Sequence, residues 1–349
     1  MPVPVRVAVV GTGTAARVHV EALRALDEPV EIVAGVDDDA GHAAAFCASH
    51  GIPYSGTSLA RALVDTRPAL VHVCSGARLA PASTALAGGV HVLVELPPAL
   101  SLRGLDDLDA AQAPGGPYVA TVFPHRFGSG ARRLRALAGA GVLGRPLLAL
   151  CHTTWYRAHG GLMLGPGMHE IDLLMSVLGE WTEVSASAHR LARPGRTEDV
   201  SLAHVTFAGG AVASVVCSVL SPREESLLRF DFERATVEVT RGRDASCAGF
   251  GDDDWRVTPA PGHESTVLDA WRSGEHGRRG GHGAQFAEVL AGVRAGTPLP
   301  VGVAGARSTM RLVAGVYAAA FSGRPVVPSD VDPGSAFYER MDGFGPPWS

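Results

Sequence analysis

The chain has 349 residues, 46% of them hydrophobic and 19% charged, and a net charge of −5. That length accommodates two domains with separate cores, and the composition is that of an ordinary globular protein, not a disordered one. The negative balance and scattered arginines give no footprint for nucleic acid, and no apolar run reaches the roughly 18–20 residues a membrane helix needs. Five widely spaced cysteines (Cys47, Cys74, Cys151, Cys217 and Cys247) form no CxxC, which argues against structural disulfides or a zinc site and for a reducing cytoplasm. The opening MPVPVRVAVV leads straight into a strand, without the layout of a signal peptide. Lysine and asparagine are absent; drift toward a GC-rich coding sequence accounts for most of this, and no chemical step can rely on a lysine of this chain.

The first 122 residues alternate Val-rich runs with amphipathic stretches. Residues 5–10, 30–36, 70–74, 89–95 and 117–123 read as strands, and 15–26, 40–49, 58–64, 82–87 and 102–112 as helices. Near-continuous apolar strands alternating with helices predict right-handed crossovers and a doubly wound parallel sheet covered on both faces. After residue 123 the pattern changes. A helix at 129–140, a strand at 147–157 and a helix at 168–178 precede consecutive period-2 strands at 182–189, 200–207, 211–219, 226–233 and 236–240. These predict a mostly antiparallel open sheet with one exposed face, a surface suited to homodimer or homotetramer contacts. Residues 242–282, rich in Gly, Asp, Arg and Pro, read as loop, and helices at 283–294 and 303–321 close the chain. The fold class is thus α/β: a dinucleotide-type domain over 1–123 and an α+β domain for substrate and oligomerisation over 124–349.

Gly11-Thr12-Gly13-Thr14-Ala15-Ala16 is GxGxxA, placed directly after the first strand and opening a helix. The first glycine permits a tight turn, the second a close approach of pyrophosphate to the backbone, and the small third residue helix–strand packing. Asp37 ends the second strand, a little beyond the usual ~20 residues after the motif. Its carboxylate suits adenosine ribose hydroxyls and repels a 2′-phosphate. With no basic neighbour, the cofactor expected is NAD, with NADP disfavoured.

Together with GGVHVLVELPPAL (88–100), FPHRF (123–127), GVLGRPL (141–147), WYR (155–157), GGLMLGPGMHEIDLLMSVLG (160–179) and FSGRPV (321–326), these motifs make the chain resemble the Gfo/Idh/MocA oxidoreductases along nearly its whole length. The resemblance implies a Rossmann domain, an open-sheet substrate domain, a bound nicotinamide cofactor, a homo-oligomer, and substrates among sugars, inositols and polyols. It places Glu95 and Pro97 at the outer positions of the family's Glu-Lys-Pro motif, and Cys74 and Ser75 beside the nicotinamide ribose. Arg126, Trp155 and Tyr156 match positions facing the cofactor and substrate, with His125 assigned beside Arg126 on the substrate side. His169 and Asp172 match an HxxD pair, and residues three apart share a helix face, so both are expected in one cleft.

Two departures stand out. The family lysine is Leu96, and the aspartate four residues before the histidine is Gly165. Leu96 has no proton to give, which leaves His169 as the principal acid–base candidate, with Tyr156, His125 and His152 behind it. Only Ala158 and His159 separate WYR from GG, where many members of the family that the chain resembles carry a longer loop shaping the pocket, so the resemblance implies a wider or more apolar cleft. Three functions fit: a dehydrogenase or reductase acting on a carbinol or ketone carbon; an imine reductase, similar to the thiazolinyl imine reductase branch that also lacks the lysine; and a non-redox enzyme or accessory protein that retains NAD. The intact cofactor motif favours an oxidoreductase over the non-redox reading, with the carbinol or ketone reaction placed first and imine reduction as its alternative.

Overall fold

The structure, a computed structural model, describes residues 3–158, 161, 163, 165, 167–193, 197–242 and 249–345. His159, part of the Gly-rich stretch at 160–166, and the part of the 242–282 loop that holds Cys247 lie outside the described residues. The chain forms two compact units, one of residues 1–100, 104–122 and 282–306, the other of 101–103, 123–281 and 307–349. A single cut after 123 does not allow for the return of 282–306 to the first unit, a long-range contact that no local pattern encodes.

The first unit alternates β1 (Val5–Val10), α1 (Thr14–Arg24), β2 (Val30–Val36), α2 (Ala40–Ser49), β3 (Tyr54–Gly56), α3 (Leu59–Thr66), β4 (Leu70–Val73), α4 (Leu79–Ala87), β5 (His91–Val94), α5 (Leu102–Ala110) and β6 (Val119–Thr121). All six strands pair in parallel in the order β3-β2-β1-β4-β5-β6. The chain reverses direction across the sheet between β1 and β4, where this fold opens its ligand crevice. Val5 and Val7 of β1 pack with Leu70, Leu93, Leu23 of α1 and Phe286, Val289 and Leu290 of the returning segment. Ala8 and Val10, which alternate to the other face, are buried as well, and this explains why the strand reads as an unbroken apolar run. The three-residue β3 at the sheet edge carries no periodic signal and was not expected.

The second unit contains α6 (Ser129–Gly139), β7 (Pro146–Tyr156), α7 (Gly167–Leu178), β8 (Trp181–His189), β9 (Val200–Phe207), β10 (Val212–Ser218), β11 (Leu220–Phe232), β12 (Ala235–Gly242), β13 (Trp255–Pro259) and α8 (Glu264–Arg272). The chain returns to the first unit through α9 (His282–Ala295), then runs along α10 (Val303–Ser322) to the short α11 (Ala336–Glu339). Seven strands follow the order β13-β12-β11-β7-β10-β9-β8, antiparallel except for the pair β10–β7. Two elements lie in the stretch read as loop. Only Val267 is fully buried in α8, so its hydrophobic period is faint, and β13 is a short edge strand.

Helix α7 packs on β7 and β11. Cys151, Thr153, Val215, Cys217, Leu228 and Phe230 are buried on that face of the sheet. The opposite face alternates outward and leaves Leu148, Leu202 and Val212 exposed. Among the described residues, no helix is long and apolar enough to cross a membrane.

Candidate functional site

The turn from β1 into α1 is shaped by its glycines. Gly11 has φ +82°, and a Cβ there would lie 2.5 Å from the Ser75 nitrogen, so the turn after β4 can close on the loop only over a glycine. A Cβ on Gly13 would meet nothing within 4 Å, which leaves that backbone open to an approaching group. Gly13 caps α1 without a side-chain hydrogen bond, so the first-turn N–H groups at Thr14, Ala15 and Ala16 are turned toward the same opening. Ala16 is fully buried, the close helix–sheet contact that a larger residue would prevent.

Asp37 is tied to this loop. Its Oδ2 accepts hydrogen bonds from the Thr12 N–H and the Thr12 hydroxyl, each at 2.7 Å, and its Oδ1 accepts from the Asp39 N–H at 3.1 Å. Burial raises its pKa, but these donors outweigh burial and hold it at about 2. The acid is therefore ionised and pre-oriented. Thr12, which sequence reasoning treated as the variable position of the motif, is the clip that orients it. A loop open at Gly13, an uncapped helix start and a fixed carboxylate together fit a dinucleotide.

At the ends of β4 and β5 the picture differs from expectation. The Ser75 hydroxyl donates to Ala77 O at 3.0 Å, and burial pushes the Cys74 thiol well up. Glu95 does not stand open. Its Oε1 lies 2.7 Å from His19 Nε2 and 3.7 Å from His282 Nε2, and its Oε2 accepts the Leu96 N–H at 2.9 Å. Although burial works against it, these histidines keep Glu95 well below the usual carboxylate range. Leu96 and Pro97 are buried beside it. The sequence reading missed both histidines: His19 lies within GTGTAARVH, but its partners are remote in the chain.

In the second unit, a 3-10 turn (Pro124–Phe127) sets two side chains against α7. Arg126 grips Asp172 through two nitrogens, and the Thr309 hydroxyl donates to the same carboxylate at 3.0 Å. Asp172 is 0% exposed. Burial raises its pKa more than Arg126 and Thr309 lower it. The expectation that Asp172 reaches substrate beside His169 is therefore corrected: it is a buried anchor for Arg126, whereas His169 is half-buried.

His125 approaches the other carboxylate of α7, with its Nε2 3.6 Å from Glu170 Oε1. The Ser226 hydroxyl donates to that oxygen at 2.7 Å. Burial raises the Glu170 pKa, but His125, His169 and Ser226 outweigh it and hold the carboxyl below its ordinary value. The rings of His125 and His169 are 5.4 Å apart, edge to face. Two imidazoles and a buried anion thus converge, and Glu170 is the member sequence reasoning overlooked.

Tyr156 does not join them. It has the opposite parity on β7 from Cys151 and Thr153, so it points away from α7; it is 55% exposed, beneath the Arg193 guanidinium. Trp155, on the α7 side by the same parity, is stacked by Arg157 at 4.3 Å. Gly165, whose carbonyl accepts the Met168 N–H just ahead of α7, offers no carboxylate.

Two family models match this chain. Residues 5–119 match the oxidoreductase family with an NAD-binding Rossmann fold, and residues 131–245 match the GFO/IDH/MocA C-terminal domain. The chain belongs to the Gfo/Idh/MocA family. As a member it is an NAD-binding oxidoreductase. It is 26% identical over 262 residues to D-glucoside 3-dehydrogenase of Escherichia coli K12, covering 66% of this chain and 74% of that protein. It is 30% identical over 202 residues to inositol 2-dehydrogenase 3 of Saccharopolyspora erythraea, covering 55% of this chain and 58% of that one. In fold it is similar to the WlbA dehydrogenase of Bordetella pertussis, solved with NADH and UDP-GlcNAcA, at TM-score 0.76 and 19% identity over 94% of this chain and 98% of that one.

Two measurements check this geometry. Asp37→Ala is expected to weaken NAD binding about 10- to 100-fold, the worth of charge-assisted hydrogen bonds, and to narrow the preference over NADP; unchanged titration calorimetry would remove the acid's role. Arg126→Ala leaves Asp172 buried without its cation and is expected to destabilise the protein by about 3–5 kcal/mol at neutral pH. Because the folded-state pKa of Asp172 lies above its unfolded value, folding binds a proton as pH falls. The variant's deficit in urea unfolding should therefore shrink on acidification toward about pH 4, and Asp172→Asn should relieve it at neutral pH.

Proposed function

We propose that the chain is an NAD-dependent dehydrogenase or reductase acting on a carbinol or ketone carbon of a sugar-, polyol- or specialised-metabolite-type substrate, with histidine in place of the family lysine. Gly11, Gly13, the start of α1 and Asp37 would hold the dinucleotide, which supplies the hydride acceptor or donor. The observation that carries the reading is Glu170, an anion buried behind His125 and His169 in a chain with no lysine. Two imidazoles held beside this carboxylate can give a proton to an oxygen gaining charge and take one in the reverse direction. The names of the two curated relatives support a sugar or polyol substrate. Arg126, fixed by Asp172, positions the turn that carries His125.

The exposed face of the second sheet supports assembly with further copies of the chain. Leu148, Leu202 and Val212 line its outer face with Val216 and Leu227, and we assign this surface to a homodimer or homotetramer. The free cysteines Cys47, Cys74, Cys151 and Cys217 suit a reducing cytoplasm.

On a panel of sugars and polyols, His169→Ala is expected to lower kcat by about 10²- to 10⁴-fold while NADH still binds; full turnover in that variant would remove the proposed proton donor. Turnover of imines alone would favour the imine reductase reading, and binding without turnover on either panel the non-redox one. Val212→Asp is expected to shift the sedimentation coefficient toward that of a monomer. An unchanged value would place the interface elsewhere.

A further inference from the structure

The first unit contains a cluster that the proposed chemistry does not use. His19 from α1, Glu95 after β5 and His282 at the start of α9 bring their donor atoms within 4.8 Å of one another. The cluster is shielded, with side-chain exposures of 0%, 14% and 10%. A tetrahedral zinc-type ion with bonds of about 2.0–2.2 Å holds its ligands about 3.3 Å apart. The two distances to Glu95 Oε1, 2.7 Å from His19 and 3.7 Å from His282, bracket that value.

We propose that His19, Glu95 and His282 form a binding site for one divalent transition-metal ion of the zinc class, with a fourth position left for water. Two imidazoles and one carboxylate suit Zn²⁺ or Co²⁺ better than Mg²⁺ or Ca²⁺, which favour all-oxygen sets. The expectation of no metal came from the cysteine spacing, which is blind to ligands contributed by three remote segments.

His72, fully buried on β4, stands behind the ligand. Its Nδ1 is 2.9 Å from His19 Nδ1, and only one of the two facing nitrogens carries the shared hydrogen. A second group reaches the same nitrogen: Cys74 Sγ is 3.4 Å from His19 Nδ1. When His19 Nε2 binds an ion, its ring hydrogen is on Nδ1, where His72 Nδ1 or Cys74 Sγ accepts it and orients the ligating imidazole.

The position of the cluster gives the ion a role. His282 is the first residue of the segment that returns to the first unit. An ion there would fasten α9 to α1 and to the end of β5, next to Phe286, whose ring meets His19, His72 and His282 at 4.8–5.6 Å between centroids.

The test uses tag-free, full-length protein stripped with a chelator, with Co²⁺ as a visible probe and Zn²⁺ in melting experiments. The expected result is one Co²⁺ per chain, with the visible bands of a four-coordinate site, and a higher Tm with Zn²⁺. His282→Ala should weaken Co²⁺ binding about 100-fold or more and abolish the Tm rise, whereas His263→Ala, just ahead of α8 in the second unit, should change neither. If His282→Ala does not fold, His282→Gln and Glu95→Gln serve the same comparison. Absence of stoichiometric Co²⁺ binding by the wild type, or binding that survives both His282 and Glu95 substitutions, overturns the proposal.

Discussion

The second unit depends on a buried ion pair. Arg126 and Asp172 join the turn at 124–127 to α7, and Thr309 closes the carboxylate from α10. A carboxylate removed from water is tolerated only with its charge matched and its lone pairs satisfied. This pair therefore joins the turn to the helix at one defined point. One residue back, His125 is set opposite Glu170, and one residue before Glu170 on α7 lies His169. The spacing of the two imidazoles is thus a consequence of a salt bridge that need not touch substrate.

Much of this was legible in the chain. Apolar runs without alternation gave the parallel strands of the first unit, and alternation after residue 123 gave the open sheet. GxGxxA anticipated the tight turn between β1 and α1, where Gly11 has φ +82°. The failures have physical causes. HxxD spacing places His169 and Asp172 on one helix face, but a helix resting on a sheet has a gradient of burial across that face, and Asp172 is at its deep end. Tyr156 was misplaced although strand parity with Cys151 and Thr153 was available to correct it. Glu170 was hidden because its partners, His125 and Ser226, are contributed by a remote turn and a remote strand. The return of 282–306, and with it the His19–Glu95–His282 cluster, is wholly non-local.

The absence of lysine also takes on structural meaning. Leu96 is 8% exposed, between Glu95 and Pro97, a position where an ammonium would have been partly desolvated. Glu95 would have been a counter-ion for such a cation. Here two histidines satisfy it instead. His19 and His282 thus meet the Glu95 carboxylate without a lysine, and the groups proposed for proton exchange lie in the other unit.

The most direct measurement follows a deuterium atom. A sugar or polyol carrying deuterium on the carbinol carbon is turned over with NAD, and released NADH is examined by mass spectrometry and NMR. Net hydride transfer predicts one deuterium at the nicotinamide C4 for each ketone formed. Product that accumulates without labelled NADH would contradict the account.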